Sequence, residues 1–296
     1  MMANLIKAEF RKTLSLKLWW ALMIPAFALS FVFALGWGNA ANDFNDFLGS
    51  YEARELARAL GVEVNTLPVG LLALARGINV GTLFPVIFGI SALAGEYTRR
   101  TITTTYLTAP HRGAALTAKL VTYTVWGAAY GVVLVTASSI AMALSVDSER
   151  LPSAGQWFAV LGAALLAAML ATLFGIGVGA VWNSVTGPTV TLVIWMLIIE
   201  NLLVLLVFGT LDAYWVGGVL PNNTLNGIVG GIAAEALGAA GLSVPDALDE
   251  DLQWLLQFFA GAPGSYAWWS AALVFGAWTA AFFGAGWAAN AKRDIT

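Results

Sequence analysis

The chain has 296 residues, of which 59% are hydrophobic and only 10% are charged, and its mean hydropathy is +0.78. About a quarter of the residues in a soluble domain are charged, so this composition excludes a soluble globular domain. Cysteine is absent, which excludes a disulfide framework, a thiolate metal site and a cysteine nucleophile.

Six apolar stretches of about 20 residues predict six membrane-spanning helices. They lie at 18–37, 77–94, 120–144, 157–182, 189–209 and 268–289. We therefore predict an all-α polytopic membrane protein in which residues 1–296 form a single transmembrane domain. A cleaved signal peptide is the competing interpretation of the first stretch, but that stretch is long for one and lacks a suitably placed small-residue cleavage site.

The distribution of basic residues predicts the orientation, because cytoplasmic flanks are enriched in Lys and Arg. One set of flanks holds Lys7, Arg11, Lys12, Lys17, Arg99, Arg100, Arg112, Lys119, Lys292 and Arg293. The opposite set holds only Arg54, Arg58, Arg76 and Arg150, together with thirteen of the seventeen acidic residues. Both termini are therefore expected in the cytoplasm, and the protein is expected in the inner (plasma) membrane.

Three segments outside the spans have patterns of their own. Residues 4–17 place apolar side chains at helical spacing opposite basic ones, which predicts an amphipathic helix in the inner interface. The outer segment 38–76 contains a helical apolar pattern from Phe44 to Tyr51. The acidic outer segment 210–265 predicts a re-entrant or interface-lying piece, followed by a helix that begins near Asp249.

A catalytic constellation is not visible in the sequence. The single histidine, His111, lies in a basic loop, where a solvated side chain is expected. No lysine follows the glycine pattern of a phosphate-binding loop, so the chain is not expected to bind ATP itself. We predict no enzyme activity, no metal site and no nucleic-acid partner for this chain.

Glu200 is the one ionisable residue well inside a predicted span, and Asn201 follows it. A carboxylate at membrane depth is costly, so it must face the bundle interior or water, or be protonated. A substrate, proton or gating contact is one interpretation. A structural hydrogen bond between helices is the other, and the sequence does not decide between them.

The loop between the second and third predicted spans is the most informative part of the sequence. It begins Gly95-Glu96-Tyr97-Thr98-Arg99-Arg100-Thr101-Ile102 and continues to Lys119. Ile102, Tyr106 and Leu107 could form one apolar face of a short interfacial helix, with charges displayed to the cytoplasm. A helix of this kind is a surface that a partner protein could contact.

This loop resembles the signature of ABC type-2 exporter permeases. In that family a Gly-Glu-aromatic-x-x-Gly-Thr-Ile run follows the second span, and a Leu…Pro-x-Arg…Lys run leads into the third. The matching residues are Gly95, Glu96, Tyr97, Thr101, Ile102, Leu107, Pro110, Arg112 and Lys119. Arg100 replaces the usual glycine, so a less sharp turn is expected before Thr101. The layout of six spans, an N-terminal amphipathic helix and a structured outer segment before the sixth span is similar too.

The resemblance implies a permease subunit that pairs with a second permease copy or a related chain and with two separate ABC ATPase subunits. The Ala-, Gly- and Trp-rich composition indicates a bacterial source. ATP and magnesium would bind the ATPases and not this chain. The helix after the second span would be the coupling helix seated on an ATPase. The residues implied at or near that contact are Glu96, Tyr97, Arg99, Arg100, Thr101 and Arg112.

The expected activity is ATP-driven export of an amphiphilic substrate such as a drug, a lipid or a peptide. The alternative is a proton-coupled secondary transporter that uses Glu200. That alternative would predict more intramembrane ionisable residues and internal repeats with broken helices, and the sequence shows one such residue and no convincing repeat.

Overall fold

A computed structural model describes residues 2–52, 55, 63–64, 68–103, 110–182, 184–211, 214–239, 242–243, 249–265 and 267–291. Its α-helices are α1 (Met2–Ser15), α2 (Leu18–Leu48), α3 (Gly70–Gly81), α4 (Leu83–Thr98), α5 (Arg112–Ser145), α6 (Ala154–Trp182), α7 (Thr186–Ile194), α8 (Glu200–Leu211), α9 (Pro221–Ala239), α10 (Asp249–Ala260) and α11 (Trp268–Ala291). A π-helical turn, Trp195–Ile199, joins α7 to α8.

Six helical segments are long and apolar enough to cross a membrane, as the sequence predicts. The first span is α2, the second is α3 with α4, the third is α5 and the fourth is α6. The fifth comprises α7, the π-turn and α8, and the sixth is α11. This architecture is that of a multi-pass membrane protein.

Three helices extend well beyond the predicted spans, and one of them, α5, begins eight residues before the predicted start at residue 120. The first span continues to Leu48, so the pattern beginning at Phe44 extends that helix and does not start a separate one. Its end packs on α10, where the rings of Phe44 and Phe259 lie 5.9 Å apart. The second span begins at Gly70, seven residues earlier than predicted, because α3 runs straight into α4. Arg76 therefore lies inside a spanning helix and not in a flank.

The second, third and fourth spans form the centre of the bundle. In its most apolar window the second span is 78% buried, whereas the corresponding windows of the first and fifth spans are each 17% buried. The first span packs on the second and third, and the sixth packs on the fourth and on α9. The first and fifth spans thus present most of their apolar surface outward, as lipid-facing or partner-facing helices do.

Glycines allow the central spans to approach closely. A Cβ atom at Gly175 would overlap the carbonyl oxygen of Val86, and one at Gly179 would lie 2.5 Å from the carbonyl oxygen of Ile90. Gly127 and Gly131 similarly face the backbone of the fourth span. Small residues four apart commonly mark such packing faces in membrane helices.

The segment before the sixth span forms α9 and α10. The chain returns into the bundle before α9 begins, since the Trp278 indole of the sixth span donates to the Val219 carbonyl at 2.8 Å. Further along α9, Gly231 reaches the first residue of the sixth span, Trp268. α10 begins at Asp249 as predicted and ends before Gly261, whose positive φ of 87° stops the helix.

Two short strands connect distant outer segments. β1 (Glu63–Val64) pairs antiparallel with β2 (Leu242–Ser243), with Glu63 opposite Ser243. The segment after the first span is thereby attached to the segment that links α9 to α10.

At the other end of the bundle, α1 covers most of the predicted amphipathic segment 4–17. The face that packs on the bundle carries the buried side chains of Glu9 and Thr13 beside the partly buried Phe10, whereas Leu14 is 54% exposed. Contact of α1 with a membrane interface stays a prediction.

The close packing of the second and fourth spans predicts opposite effects for two glycine substitutions in α6. Gly175→Ala should lower the thermal unfolding midpoint of the purified protein, at a cost of about 1–3 kcal/mol, because the added methyl group must displace backbone. Gly162→Ala is the matched control, since no atom lies within 4 Å of its Cβ position. Because alanine has a higher helix propensity than glycine, Gly162→Ala should leave the unfolding midpoint unchanged or raise it. Equal midpoints for the two variants would contradict the packing.

Candidate functional site

A cluster of four charged side chains joins α1 to the second and third spans. Lys119 of α5 places its Nζ 2.7 Å from Glu96 Oε1 and 2.9 Å from Glu9 Oε2. Lys12 of α1 donates to the same Glu96 oxygen. Two ammonium groups thus face two carboxylates. We call these residues, Glu9, Lys12, Glu96 and Lys119, the ion cluster.

Three of the four members of the ion cluster are buried, although they come from distant parts of the chain. Lys119 is 2% exposed, Glu96 is 4% exposed and Glu9 is 8% exposed. Glu9 and Lys12 are three residues apart on one face of α1, Glu96 lies in the last turn of α4, and Lys119 lies in the third turn of α5. Buried charges are tolerated only when they are paired, so removing one member leaves an uncompensated charge.

An aromatic layer packs next to the ion cluster. Phe88 of the second span contacts Trp126 and Tyr130 of the third, with ring centroids 5.9 and 5.3 Å apart. Trp126 also contacts Phe10 of α1 and Trp19 of the first span. The Tyr130 hydroxyl donates to the Trp19 carbonyl at 3.0 Å. Polar and aromatic contacts therefore hold the same helices together.

The second span ends in a sharp turn at Arg100. The amide of Thr101 donates to the Glu96 carbonyl at 2.9 Å, and the amide of Arg100 donates to the Tyr97 carbonyl at 3.1 Å. This pair of bonds is a Schellman motif, and Arg100 occupies its left-handed position with φ of 57°. The chain therefore turns sharply before Thr101 although residue 100 is not glycine. Arg100 adopts the backbone conformation that glycine usually supplies, and the motif's hydrogen bonds hold it there.

The other residues implied at an ATPase contact lie around this turn. Tyr97 is half-buried against the core, whereas Arg99, Arg100, Thr101 and Arg112 are exposed. Glu96 is the exception, because its carboxylate points into the ion cluster. Ile102 is buried. Tyr106 and Leu107, which complete the predicted apolar face, lie outside the described residues.

His111 begins the third span and is not merely solvated. Its backbone is extended, and its Nδ1 accepts a hydrogen bond from the Ala114 amide at 3.0 Å. The side chain thereby caps the N-terminus of α5, a function more often performed by Ser, Thr, Asp or Asn. No group of three or more His, Cys, Asp or Glu residues suited to a metal ion occurs in the described part of the chain.

On the opposite side of the bundle, Glu200 caps the N-terminus of α9. Its carboxylate accepts from the backbone amides of Asn222 and Asn223 at 3.0 and 2.6 Å, and from the Trp195 indole at 2.6 Å. The side chain is 1% exposed. A carboxylate is favourable there because the first amides of a helix are unpaired and carry partial positive charge. The contacts favour the structural interpretation of Glu200.

Asn201 faces a different environment from its neighbour. Its amide donates to the carbonyls of Met196 and Leu197 in the π-turn, and the side chain is exposed on one wall of a cleft. This cleft lies between the first, second and fifth spans and α9, with a volume of about 260 Å³. We call it the asparagine cleft because Asn79, Asn201, Asn222 and Asn226 line it.

Arg76 also lines the asparagine cleft. From the sequence it was predicted only as a basic residue of an outer flank. Its guanidinium donates to the carbonyls of Phe258 and Phe259, at 2.7 Å for the latter, and so caps the C-terminus of α10. It lies over the Trp37 ring, 4.2 Å from the centroid. No carboxylate among the described residues forms an ion pair with it. An earlier start for the second span would have identified it as an intramembrane charge.

No protein-family model matches the chain, and no curated protein matches it.

The ion cluster predicts a large effect of removing its central ammonium group. Lys119→Met should destabilise the protein by about 3 kcal/mol, because Glu9 and Glu96 would be left buried with one partially exposed lysine. Thermal unfolding in detergent measures this, with the exposed Lys7→Met on α1 as the control. The double variant that combines Lys119→Met with Glu96→Gln should lose less stability than the sum of the losses measured for the two single variants. Full additivity would show that the two groups are not coupled.

The cap on α9 predicts a graded response at Glu200. Glu200→Gln keeps one of the two acceptor oxygens and turns an NH₂ group toward the other backbone amide, so it should cost about 1–2 kcal/mol. Glu200→Leu leaves two buried backbone amides unpaired and should cost about 2–4 kcal/mol. Unfolding midpoints of both variants test this order. If Glu200→Leu unfolded at the wild-type temperature, the capping interaction would not be stabilising.

Proposed function

We propose that this chain is the membrane-spanning permease subunit of an ATP-driven exporter of the ABC type-2 class. The observation that carries the proposal is the ion pair between Glu96 and Lys119. These residues match the glutamate and the lysine of the two signature runs on either side of the loop, and their charged groups lie 2.7 Å apart in a buried site. Burial and pairing give a physical reason for charged residues at both signature positions.

The contacts support a mechanism in which the end of the second span, the start of the third and α1 move as one unit. The ion cluster and the aromatic layer join these three elements. An ATPase seated on the exposed residues around the turn, including Arg99 and Arg112, would push on that unit when ATP closes the ATPase dimer. Such a link couples two conformational states and needs no catalysis by this chain. ATP and magnesium would bind the partner.

The proposed coupling helix begins after Thr101. Ile102 is buried and so anchors its start, while Arg99 and Arg100 remain at the surface. We further propose that this side is cytoplasmic, with both termini there and α1 in contact with the inner interface. The excess of Lys and Arg on these flanks supports that orientation.

The proposed assembly contains a second permease chain beside the first. The first and fifth spans leave apolar residues such as Ile24, Val32, Leu202 and Leu205 more than half exposed. Lipid or a second bundle would cover these faces, and a pathway between two bundles would export an amphiphilic substrate. Two copies of this chain or a pair of related chains both fit the surface.

The alternative, a proton-coupled transporter using Glu200, receives less support from the contacts. Both carboxylate oxygens of Glu200 accept hydrogen bonds from backbone amides that need a partner. A proton carrier must release such contacts in each cycle. Transport that persists without any ATPase would nevertheless favour this alternative.

Reconstitution tests the proposal. The tagged chain is purified from its native membrane, the co-purifying ATPase is identified, and both are placed in proteoliposomes. We expect ATP hydrolysis that depends on this chain. Arg99→Glu with Arg112→Glu should reduce the stimulated rate by about tenfold, because the proposed contact would lose its charge complementarity. Lys7→Glu, an exposed change on α1 on the same side, should leave the rate near that of the wild type.

The outcomes separate the hypotheses. Absence of an ATPase from the purified complex, or equal rates for the arginine and lysine variants, would contradict the proposed contact. The unfolding midpoints of all variants are measured alongside the rates, so that a loss of folding is not mistaken for a loss of coupling.

A further inference from the structure

The asparagine cleft has a polar wall in a part of the bundle that is otherwise apolar. Four asparagines and one arginine line about 260 Å³, together with apolar residues that include Phe33, Leu83 and Leu197. Polar side chains within spanning helices are costly and commonly mark ligand sites or pathways. We propose that this cleft binds the anionic headgroup of an amphiphile.

The positive charge of Arg76 determines the sign of the charge that the ligand should carry. Its guanidinium remains protonated in proteins, and no described carboxylate forms an ion pair with it. The carbonyl groups at the C-terminus of α10 and the face of Trp37 attract it but supply only partial negative charge. Glu200 lies nearby, since its carboxylate accepts from the backbone amide of the cleft residue Asn222, but both of its oxygens are directed to the start of α9. Arg76 is therefore the charged group on the cleft wall itself, where low dielectric strengthens its attraction for an anion.

The geometry of Arg76 leaves donors for that anion. Nε and Nη2 are directed to the Phe259 and Phe258 carbonyls, whereas no described hydrogen bond uses Nη1. A guanidinium group has five N–H bonds in a planar fork, which suits phosphate and carboxylate oxygens. Capping of α10 holds this fork in place, so the cation is positioned before a ligand arrives.

The asparagine amides suit the remaining polar atoms of such a headgroup. Asn79 Oδ1 and Asn226 Oδ1 are buried and have no hydrogen-bond partner among the described residues. Asn79 is fixed in orientation, since its Nδ2 donates to the Ala260 carbonyl at 3.2 Å. The wall therefore retains acceptors for hydroxyl groups as well as a cation for an acidic group.

The apolar wall indicates how the rest of the ligand would lie. Phe33 is 42% exposed and Leu197 is 48% exposed, on the first and fifth spans respectively. Both spans are largely uncovered along their length. An acyl chain or aromatic body can therefore lie along them in the membrane while its headgroup occupies the cleft. The substrate role of such a ligand depends on the proposed export function, but its binding does not.

The chain contains no cysteine, which permits a direct measurement of the potential in the cleft. Asn201→Cys introduces a single thiol on the cleft wall in the purified chain, held in nanodiscs of zwitterionic lipid without any ATPase. Its reaction rates are compared for anionic sulfonatoethyl and cationic trimethylammonioethyl methanethiosulfonate. Adding Arg76→Gln should lower the anionic-to-cationic rate ratio by about tenfold. Arg76→Lys should preserve the ratio.

A matched thiol outside the cleft controls for general surface charge. Ser148→Cys lies on an exposed turn, and its rate ratio should not respond to Arg76→Gln. An equal response at both positions, or none at Asn201→Cys, would overturn the proposal.

Ligand protection tests the same inference without changing Arg76, which matters if Arg76→Gln prevents folding by uncapping α10. Dodecyl phosphate should slow modification of Asn201→Cys by a small neutral thiol reagent at roughly tenfold lower concentration than dodecyl maltoside or dodecyltrimethylammonium. Equal protection by all three amphiphiles, or better protection by the cationic one, would contradict an anion site. Because the ATPase is absent, failure here leaves the proposed export function standing.

Discussion

An ammonium group buried between two carboxylates holds three helices together at one side of this bundle. Lys119 reaches Glu9 on α1 and Glu96 at the end of the second span, and its own helix is the third span. In an apolar bundle such a contact is specific, because any other pairing leaves a charge without a partner. The turn at Arg100 begins in the same helical turn as Glu96, so the ion cluster also fixes the direction in which the chain leaves the second span.

Charges on the opposite side act on helix termini. Glu200 binds the first amides of α9, and Arg76 binds the last carbonyls of α10. Each charge offsets the partial charge of the terminus it meets, which lets short helices begin and end inside the bundle. The full positive charge of Arg76 is larger than the partial negative charge at the C-terminus of α10. The asparagine cleft forms beside that excess, so the contact that stabilises the fold also creates a site for an anion.

Hydropathy was sufficient to predict the six spans, because a membrane requires long apolar helices whatever their packing. The partners of Glu200 and Lys119 could not be predicted, since they depend on how separate helices meet. Arg76 was misassigned because an arginine near a predicted boundary resembles a flanking charge. The left-handed conformation of Arg100 could not be predicted from the residue type, because two backbone hydrogen bonds offset its modest cost.

Amide hydrogen exchange tests the central claim that Lys119 unites α1 with the second and third spans. In Lys119→Met, exchange should accelerate in α1 and in the turn around Arg100, while the fourth span, at the centre of the bundle, keeps its wild-type protection. Lys7→Met should change neither region. If α1 in Lys119→Met remained as protected as in the wild type, the ion cluster would not be what attaches that helix to the bundle.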